Sequence, residues 1–197
     1  KCHQKDTEDI VHKNMRMGIG ITGIMMAGEE KLSWLDGCYR KLRAYDEEYS
    51  KIMGWPTSIK LTTTKPSGTL SLLAGVTSGV HPATAGKYFI IRIRIASNSH
   101  FVEVCRSHGY KMEFQKNFDG TEDKSTYVVE FPCTYKGDVP SAEDVDVLDQ
   151  LDMVKFIQKN WSDNSVSVTA YYKKEDIPRL KEYLAKYWKD NFKTLSF

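Results

Sequence analysis

Residues 60–82, Lys-Leu-Thr-Thr-Thr-Lys-Pro-Ser-Gly-Thr-Leu-Ser-Leu-Leu-Ala-Gly-Val-Thr-Ser-Gly-Val-His-Pro, constrain the fold more than any other stretch. Alternation up to Thr64 reads as a strand, Pro66-Ser67-Gly68-Thr69 as a tight turn, and Leu70, Leu72, Leu73 and Ala74 as the start of a helix. Pro66 can stop a strand or occupy a first helical turn. Gly68 lets the backbone turn sharply or approach a ligand closely. Two readings follow for the hydroxyls of Ser67, Thr69 and Ser71 beside the free amides of a helix start. Ser67 or Thr69 caps the helix, or the corner holds an anion, with phosphate the natural candidate. The Gly-x-x-x-x-Gly-Lys-Ser/Thr spacing of a Walker A loop is missing. Lys65 precedes the turn and either faces the same anion or is solvated.

The rest of the chain alternates helix and strand patterns. Residues 1–16 are polar and basic, the end of a helix or a linker. Gly18, Gly20 and Gly23 match the Gly-x-Gly-x-x-Gly spacing, but no clear Val/Ile strand precedes them. Nor does an acidic residue follow in a strand about 20 residues on. A strand or turn in which glycines permit close packing fits better than a dinucleotide site. Leu32, Leu35, Tyr39, Leu42, Tyr45, Tyr49 and Ile52 recur at helical spacing, so one helix is expected over Glu29–Met53, ended by Gly54. His81 falls in a loop, as a hydrogen-bonded loop residue or a group near substrate.

Residues 87–96 read as a strand, with Phe89, Ile91, Ile93 and Ile95 on one face and Tyr88, Ile90, Arg92 and Arg94 on the other. Two arginines on one face need solvent, carboxylates or an anion. Ser97 or Asn98 caps a short helix carrying Phe101, Val102 and Cys105. Tyr110–Phe114 and Tyr127–Phe131 read as strands around the hairpin signal Asp119-Gly120, an antiparallel excursion near 110–131. Ser141 with Asp144 marks a helix start, with Val145, Leu148, Leu151, Val154 and Ile157 inward as far as Trp161. Asn164–Tyr172 alternates as a strand. Ile177, Leu180, Tyr183, Leu184 and Tyr187 form an amphipathic helix with Pro178 in its first turn, and Phe192–Phe197 closes as a strand. The class is α/β, and the strand number fits either an open sheet or half of a barrel.

With 28 basic and 26 acidic side chains the net charge is +2, which argues against a nucleic-acid polymer as partner. Cys2, Cys38, Cys105 and Cys133 are far apart and lack zinc-type spacing, so a reduced, cytoplasmic setting is expected. Cys105 and Cys133 read as structural thiols. No apolar run approaches the ~20 residues that span a membrane. The polar start without Met and the strand-like end at Thr194–Phe197 suggest a fragment of a longer chain.

The run Lys65–Pro82 resembles the substrate-phosphate loop of adenosylcobalamin-dependent (class II) ribonucleotide reductases. Met17-Gly-Ile-Gly-Ile-Thr-Gly23, Tyr88–Ile95, Trp161-Ser-Asp-Asn-Ser-Val-Ser167 and Phe192–Phe197 resemble that family in the same order. The resemblance implies the C-terminal part of a ten-stranded α/β barrel over residues 1–197. It implies a reaction from ribonucleotide to 2′-deoxyribonucleotide by thiyl-radical chemistry, with adenosylcobalamin as cofactor. An external dithiol reductant such as thioredoxin and the remainder of the enzyme are the implied partners. Pro66, Ser67, Gly68, Thr69, Leu70 and Ser71 are the residues implied to bind substrate phosphate. None of the four cysteines has the family's finger-loop context, a glutamate two positions on. The catalytic groups are therefore expected upstream of residue 1 and beyond 197, and the chain alone is expected to be inactive. Against this stand a non-enzymatic α/β anion-binding or interaction domain and another phosphate-handling enzyme on an open sheet.

Overall fold

The computed structural model describes residues 2–84 and 86–197. The chain divides into two units, one of Lys1–Thr84 with Lys136–Phe197 and the other of Ala85–Tyr135.

In the first unit, helix α1 (Lys5–Asn14) leads into strand β1 (Arg16–Gly20), which runs parallel to β2 (Lys60–Thr63). Parallel bridges Thr64↔Val166 and Thr169↔Ser196 continue this arrangement into the extended segments 164–170 and 194–197. Parallel neighbours need long crossovers, and helices supply them: α2 (Glu29–Ser33) and α3 (Leu35–Met53) before β2, and α7 (Ile177–Asn191) before the last segment. Helix α6 (Val147–Asn160) precedes segment 164–170. The core lies between the helices and the extended segments: Val147, Leu151, Val154 and Ile157 from α6, Val166, Val168 and Ala170 from segment 164–170, which forms isolated bridges and not the strand expected over Asn164–Tyr172, and Leu180 from α7.

Several expectations are corrected. The helix over Glu29–Met53 is broken at Trp34 into α2 and α3, and the C-terminal half of its apolar stripe is not buried. Tyr45 and Ile52 are 62% and 71% exposed, whereas Asp46 and Ser50 on the same helix are buried. The cause is local: the Asp46 carboxylate accepts hydrogen bonds from the Ser58 amide (2.9 Å) and hydroxyl (2.7 Å), which turns that face toward the chain entering β2. The aromatic rings instead meet one another, Tyr45 with Tyr49 at 5.8 Å and Tyr49 with Trp55 at 6.3 Å. Gly54 ends α3 with φ 67°, as its sequence position implies.

Helix α6 begins later than the Ser141/Asp144 pair suggests. Those two residues bond each other at 2.6 Å, but the cap is Asp146, whose carboxylate accepts the Leu148 amide at 2.8 Å. Helix α4 (Leu70–Ala74) forms where expected, yet its apolar run faces outward: Leu70 is 66% and Leu73 85% exposed.

The second unit is an antiparallel sheet in the order β3 (Tyr88–Ala96), β5 (Glu122–Thr134), β4 (Lys111–Lys116), with helix α5 (His100–Ser107) between β3 and β4 in sequence. Register places Arg92 opposite Glu130, so Arg92 pairs with Glu130 and Glu113, while Arg94 bonds Gln115 at 2.8 Å. Ser99, one residue beyond the expected cap, accepts the Phe101 amide. Strand β5 runs through Pro132 to Thr134, past the Phe131 end expected from the sequence. Strand β4 ends opposite Glu130, so the proline's missing amide faces no strand on that side. Val129, Val102 and Cys105 are buried here.

Candidate functional site

Parallel β1 and β2 present their C-terminal ends on the same side, where open α/β sheets and barrels bind ligands. The corner after β2 leaves from that end. Pro66, Gly68, Thr69 and Leu70 are exposed and Ser67 is half-buried. Thr69 precedes α4 with φ −118° and ψ −53° and makes no capping hydrogen bond through its side chain. The helix-cap alternative is therefore not how the Thr69 hydroxyl is used. The amides of Ser67, Gly68, Thr69 and Leu70 meet no acceptor among the described residues. A Cβ added at Gly68 would meet nothing within 4 Å, so the space beside Gly68 is open.

Ser71 differs from its neighbours. It is fully buried, its hydroxyl donates to the Ser67 carbonyl, and its amide bonds the same oxygen at 3.2 Å. It draws the corner shut from inside. Lys65 is exposed, and its side chain makes no hydrogen bond or ion pair among the described residues.

A second loop stands behind this corner. Thr22 donates its hydroxyl to the Thr77 carbonyl at 2.9 Å and accepts the Gly79 amide at 3.0 Å. The amides of Gly23 and Ile24 bond the Thr77 and Gly79 carbonyls at 2.8 and 3.2 Å. Gly79, at φ +57°, lies against the Lys65 carbonyl so closely that a Cβ would come within 2.7 Å of its oxygen. The Gly18, Gly20 and Gly23 pattern thus serves close packing. Gly18 lies beside Thr63 and Gly23 beside Val76, and a short 3-10 turn, Ile24–Met26, follows instead of a dinucleotide-binding helix. His81 is a bonded loop residue. Its Nε2 accepts the Thr169 amide at 2.9 Å, which leaves Nδ1 carrying the proton toward the Ser78 carbonyl at 3.0 Å.

The opposite, N-terminal end of β2 holds a charged network that sequence reading missed. Asp163 accepts from the Tyr39 hydroxyl (2.8 Å), the Arg43 guanidinium (2.9 Å) and the Leu61 amide (2.9 Å). Lys60 and Lys193 both donate to its backbone carbonyl, at 3.0 and 2.6 Å. Burial pushes the Asp163 pKa up, but the Leu61 amide, Tyr39, Arg43 and Lys60 together outweigh it and hold the carboxyl below its ordinary value. Burial and the neighbouring Lys60 lower the Lys193 pKa, opposed by Asp163. The Trp161–Ser167 segment is fastened to β2 throughout. Trp161 Nε1 donates to the Thr63 carbonyl at 3.2 Å, Asn164 to the Thr62 carbonyl at 2.8 Å, and the Ser167 amide to the Thr64 carbonyl at 3.0 Å. This end is a structural clamp. Four free cysteines, with Cys105 buried, form no pair among the described residues, and no cluster of His, Cys, Asp and Glu suited to a metal ion occurs among them. No described helix is long and apolar enough to cross a membrane.

Comparison with known proteins gives these features a family. The probable adenosylcobalamin-dependent ribonucleoside-triphosphate reductase of Dictyostelium discoideum is 35% identical over 198 residues, covering 98% of this chain and 25% of that protein. The adenosylcobalamin-dependent ribonucleoside-triphosphate reductase of Euglena gracilis is 32% identical, covering 99% of this chain and 27% of its own length. The chain therefore spans about a quarter of the length of these curated relatives. The crystal structure of a B-12 dependent (class II) ribonucleotide reductase superposes with a TM-score of 0.76 at 26% identity, covering 98% of this chain and 31% of that one. The family described as "Ribonucleotide reductase, barrel domain" matches residues 52–197, and with these relatives it establishes that the chain belongs to the ribonucleotide reductase barrel-domain family.

Proposed function

We propose that residues 1–197 are a C-terminal portion of the catalytic barrel of an adenosylcobalamin-dependent ribonucleotide reductase, and that the Pro66–Ser71 corner grips the phosphate tail of the ribonucleotide. One observation carries the assignment: four successive amides, Ser67 to Leu70, without an acceptor among the described residues, at the C-terminal end of a parallel strand, with open space beside Gly68. Such a row of backbone donors suits an anion, and each charge-assisted bond contributes roughly 1.5–3 kcal/mol. The Thr69 hydroxyl is free to add a donor. Pro66 fixes the entry to the turn, Leu70 presents its amide at the helix start, and Ser71 holds the Ser67 carbonyl back from the anion.

The reaction is conversion of a ribonucleotide to a 2′-deoxyribonucleotide by thiyl-radical chemistry, with this portion orienting the substrate. Adenosylcobalamin, named in both curated relatives, supplies radical generation when bound. No described residue is assigned to it. The radical cysteine and one cysteine of the reducing pair belong upstream of residue 1, and the mobile cysteines that recharge the site, themselves served by an external dithiol such as thioredoxin, belong beyond residue 197. The parallel run β1, β2, 164–170 and 194–197 supports a place in the ten-stranded barrel. The hairpin near 110–131 is then an excursion from it.

Gly68→Val tests the assignment in the complete reductase. The position has room and no left-handed backbone, so folding tolerates the side chain while the methyl groups fill the space beside Gly68. Affinity for a ribonucleoside triphosphate, measured by titration calorimetry, falls tenfold or more, about 1.4 kcal/mol. Unchanged affinity removes the phosphate site from this corner.

A further inference from the structure

We infer that Thr22 is a positioning residue for nucleotide binding: its hydroxyl sets the Pro66–Ser71 corner without touching the ligand. The inference rests on the phosphate reading above and extends it to a residue more than forty positions away in sequence.

The connection is continuous. Thr22 follows β1, and its single hydroxyl joins both ends of the Thr77-Ser78-Gly79 turn, donating to the Thr77 carbonyl at 2.9 Å and accepting the Gly79 amide at 3.0 Å. Gly79 in turn lies directly on the Lys65 carbonyl, where an added Cβ would fall 2.7 Å from the oxygen and 3.2 Å from the carbon. Lys65 is the residue before Pro66, so the place of the turn fixes where the corner begins. The far side of the corner is tied to the same loop, because the Val76 amide donates to the Ser71 carbonyl at 2.9 Å.

The loop's own hydroxyls do not do this work. Among the described residues, Thr77 Oγ1 and Ser78 Oγ are buried with no hydrogen-bond partner, as is Thr64 Oγ1 at the end of the strand. Among the hydroxyls near the turn, Thr22 alone bonds to its backbone among the described residues. A hydroxyl that accepts one backbone amide and donates to one backbone carbonyl cannot be replaced by a methyl group without loosening the turn. Serine keeps both bonds.

The test compares Thr22→Val, Thr22→Ser and Ser78→Ala in the complete reductase. Equilibrium binding is measured for a ribonucleoside triphosphate and for the matching nucleoside, which lacks the phosphates. Thr22→Val lowers triphosphate affinity about tenfold and leaves nucleoside affinity unchanged, the loss of about one pair of backbone bonds. Thr22→Ser restores triphosphate affinity, and Ser78→Ala, which deletes an unpartnered hydroxyl, does not change it. A general loss of fold would lower both ligands together. Wild-type affinity in Thr22→Val, an equal defect in Thr22→Ser, or an equal defect in Ser78→Ala each overturns the inference. If Gly68→Val lowers triphosphate affinity while Thr22→Val does not, only the positioning role falls. If neither does, the phosphate site itself falls.

Discussion

Asp163→Ala lowers the stability of the 197-residue chain by about 3 kcal/mol, the largest single loss expected outside the apolar core. The side chain is 16% exposed and faces Arg43, itself 24% exposed. Removing it leaves the guanidinium with Asp46 at 3.6 Å and the Ser58 carbonyl at 2.6 Å, takes the acceptor from the Tyr39 hydroxyl, and leaves the amide of buried Leu61 unpaired. The partial exposure of Arg43 keeps the loss toward the lower end of what a broken buried pair costs. Asp163→Asn, which keeps an oxygen for Leu61 but not the charge, loses about half as much. The pH dependence has a fixed sign. The folded-state pKa of Asp163 is depressed, so its contribution is complete above the unfolded carboxylate value near pH ~4 and disappears as pH falls through the folded value. Urea unfolding at neutral and acid pH follows both effects. Wild type loses part of its margin over Asp163→Ala on acidification, and a margin that grows with acid contradicts the network.

Leu151→Ala costs about 3 kcal/mol in the same measurement, because Leu151 has no exposed surface and its removal leaves a cavity among Val147, Val154 and Ile157. Leu73→Ala, equally drastic in sequence terms, stays within about 0.5 kcal/mol because its side chain is 85% exposed. The contrast separates two leucines that sequence pattern treats alike. It also separates the roles of two helices. Helix α6 builds the core, whereas α4 is a five-residue helix whose Leu70 and Leu73 stay exposed. A large loss at Leu73 would place α4 in the core and close the space beside Gly68.

What could be read from the chain follows from how local the cause was. The strand–turn–helix at 60–74 was legible because Pro66 and Gly68 punctuate it, and the stop of α3 was legible because Gly54 takes a positive φ. Periodicity identified the α3 stripe but not what covers it. Tyr45 and Ile52 keep helical spacing while the buried side is set by Asp46 and Ser58, twelve residues apart. The start of α6 was misplaced because Ser141 and Asp144 do bond each other, as a loop contact and not as a cap. Pro132 looked like a strand end because its tolerance depends on where β4 stops, which no local pattern records. The Asp163 network was invisible for a similar reason, since Tyr39, Arg43 and Leu61 lie 124, 120 and 102 positions away. The same holds for the site. Ser67, Gly68 and Thr69 announce a corner, but only the fold shows Ser71 turned inward and Thr22 joined to Gly79.

The most direct test of the account reads the corner's amides themselves. In the complete reductase, selectively labelled with 15N at Ser, Gly, Thr and Leu, a ribonucleoside triphosphate is titrated and the amide resonances are followed by transverse-relaxation-optimised NMR. The account predicts saturable shifts at Ser67, Gly68, Thr69 and Leu70 that inorganic triphosphate reproduces in part and the parent nucleoside does not. Shifts that bypass these four amides while the nucleotide binds elsewhere contradict it.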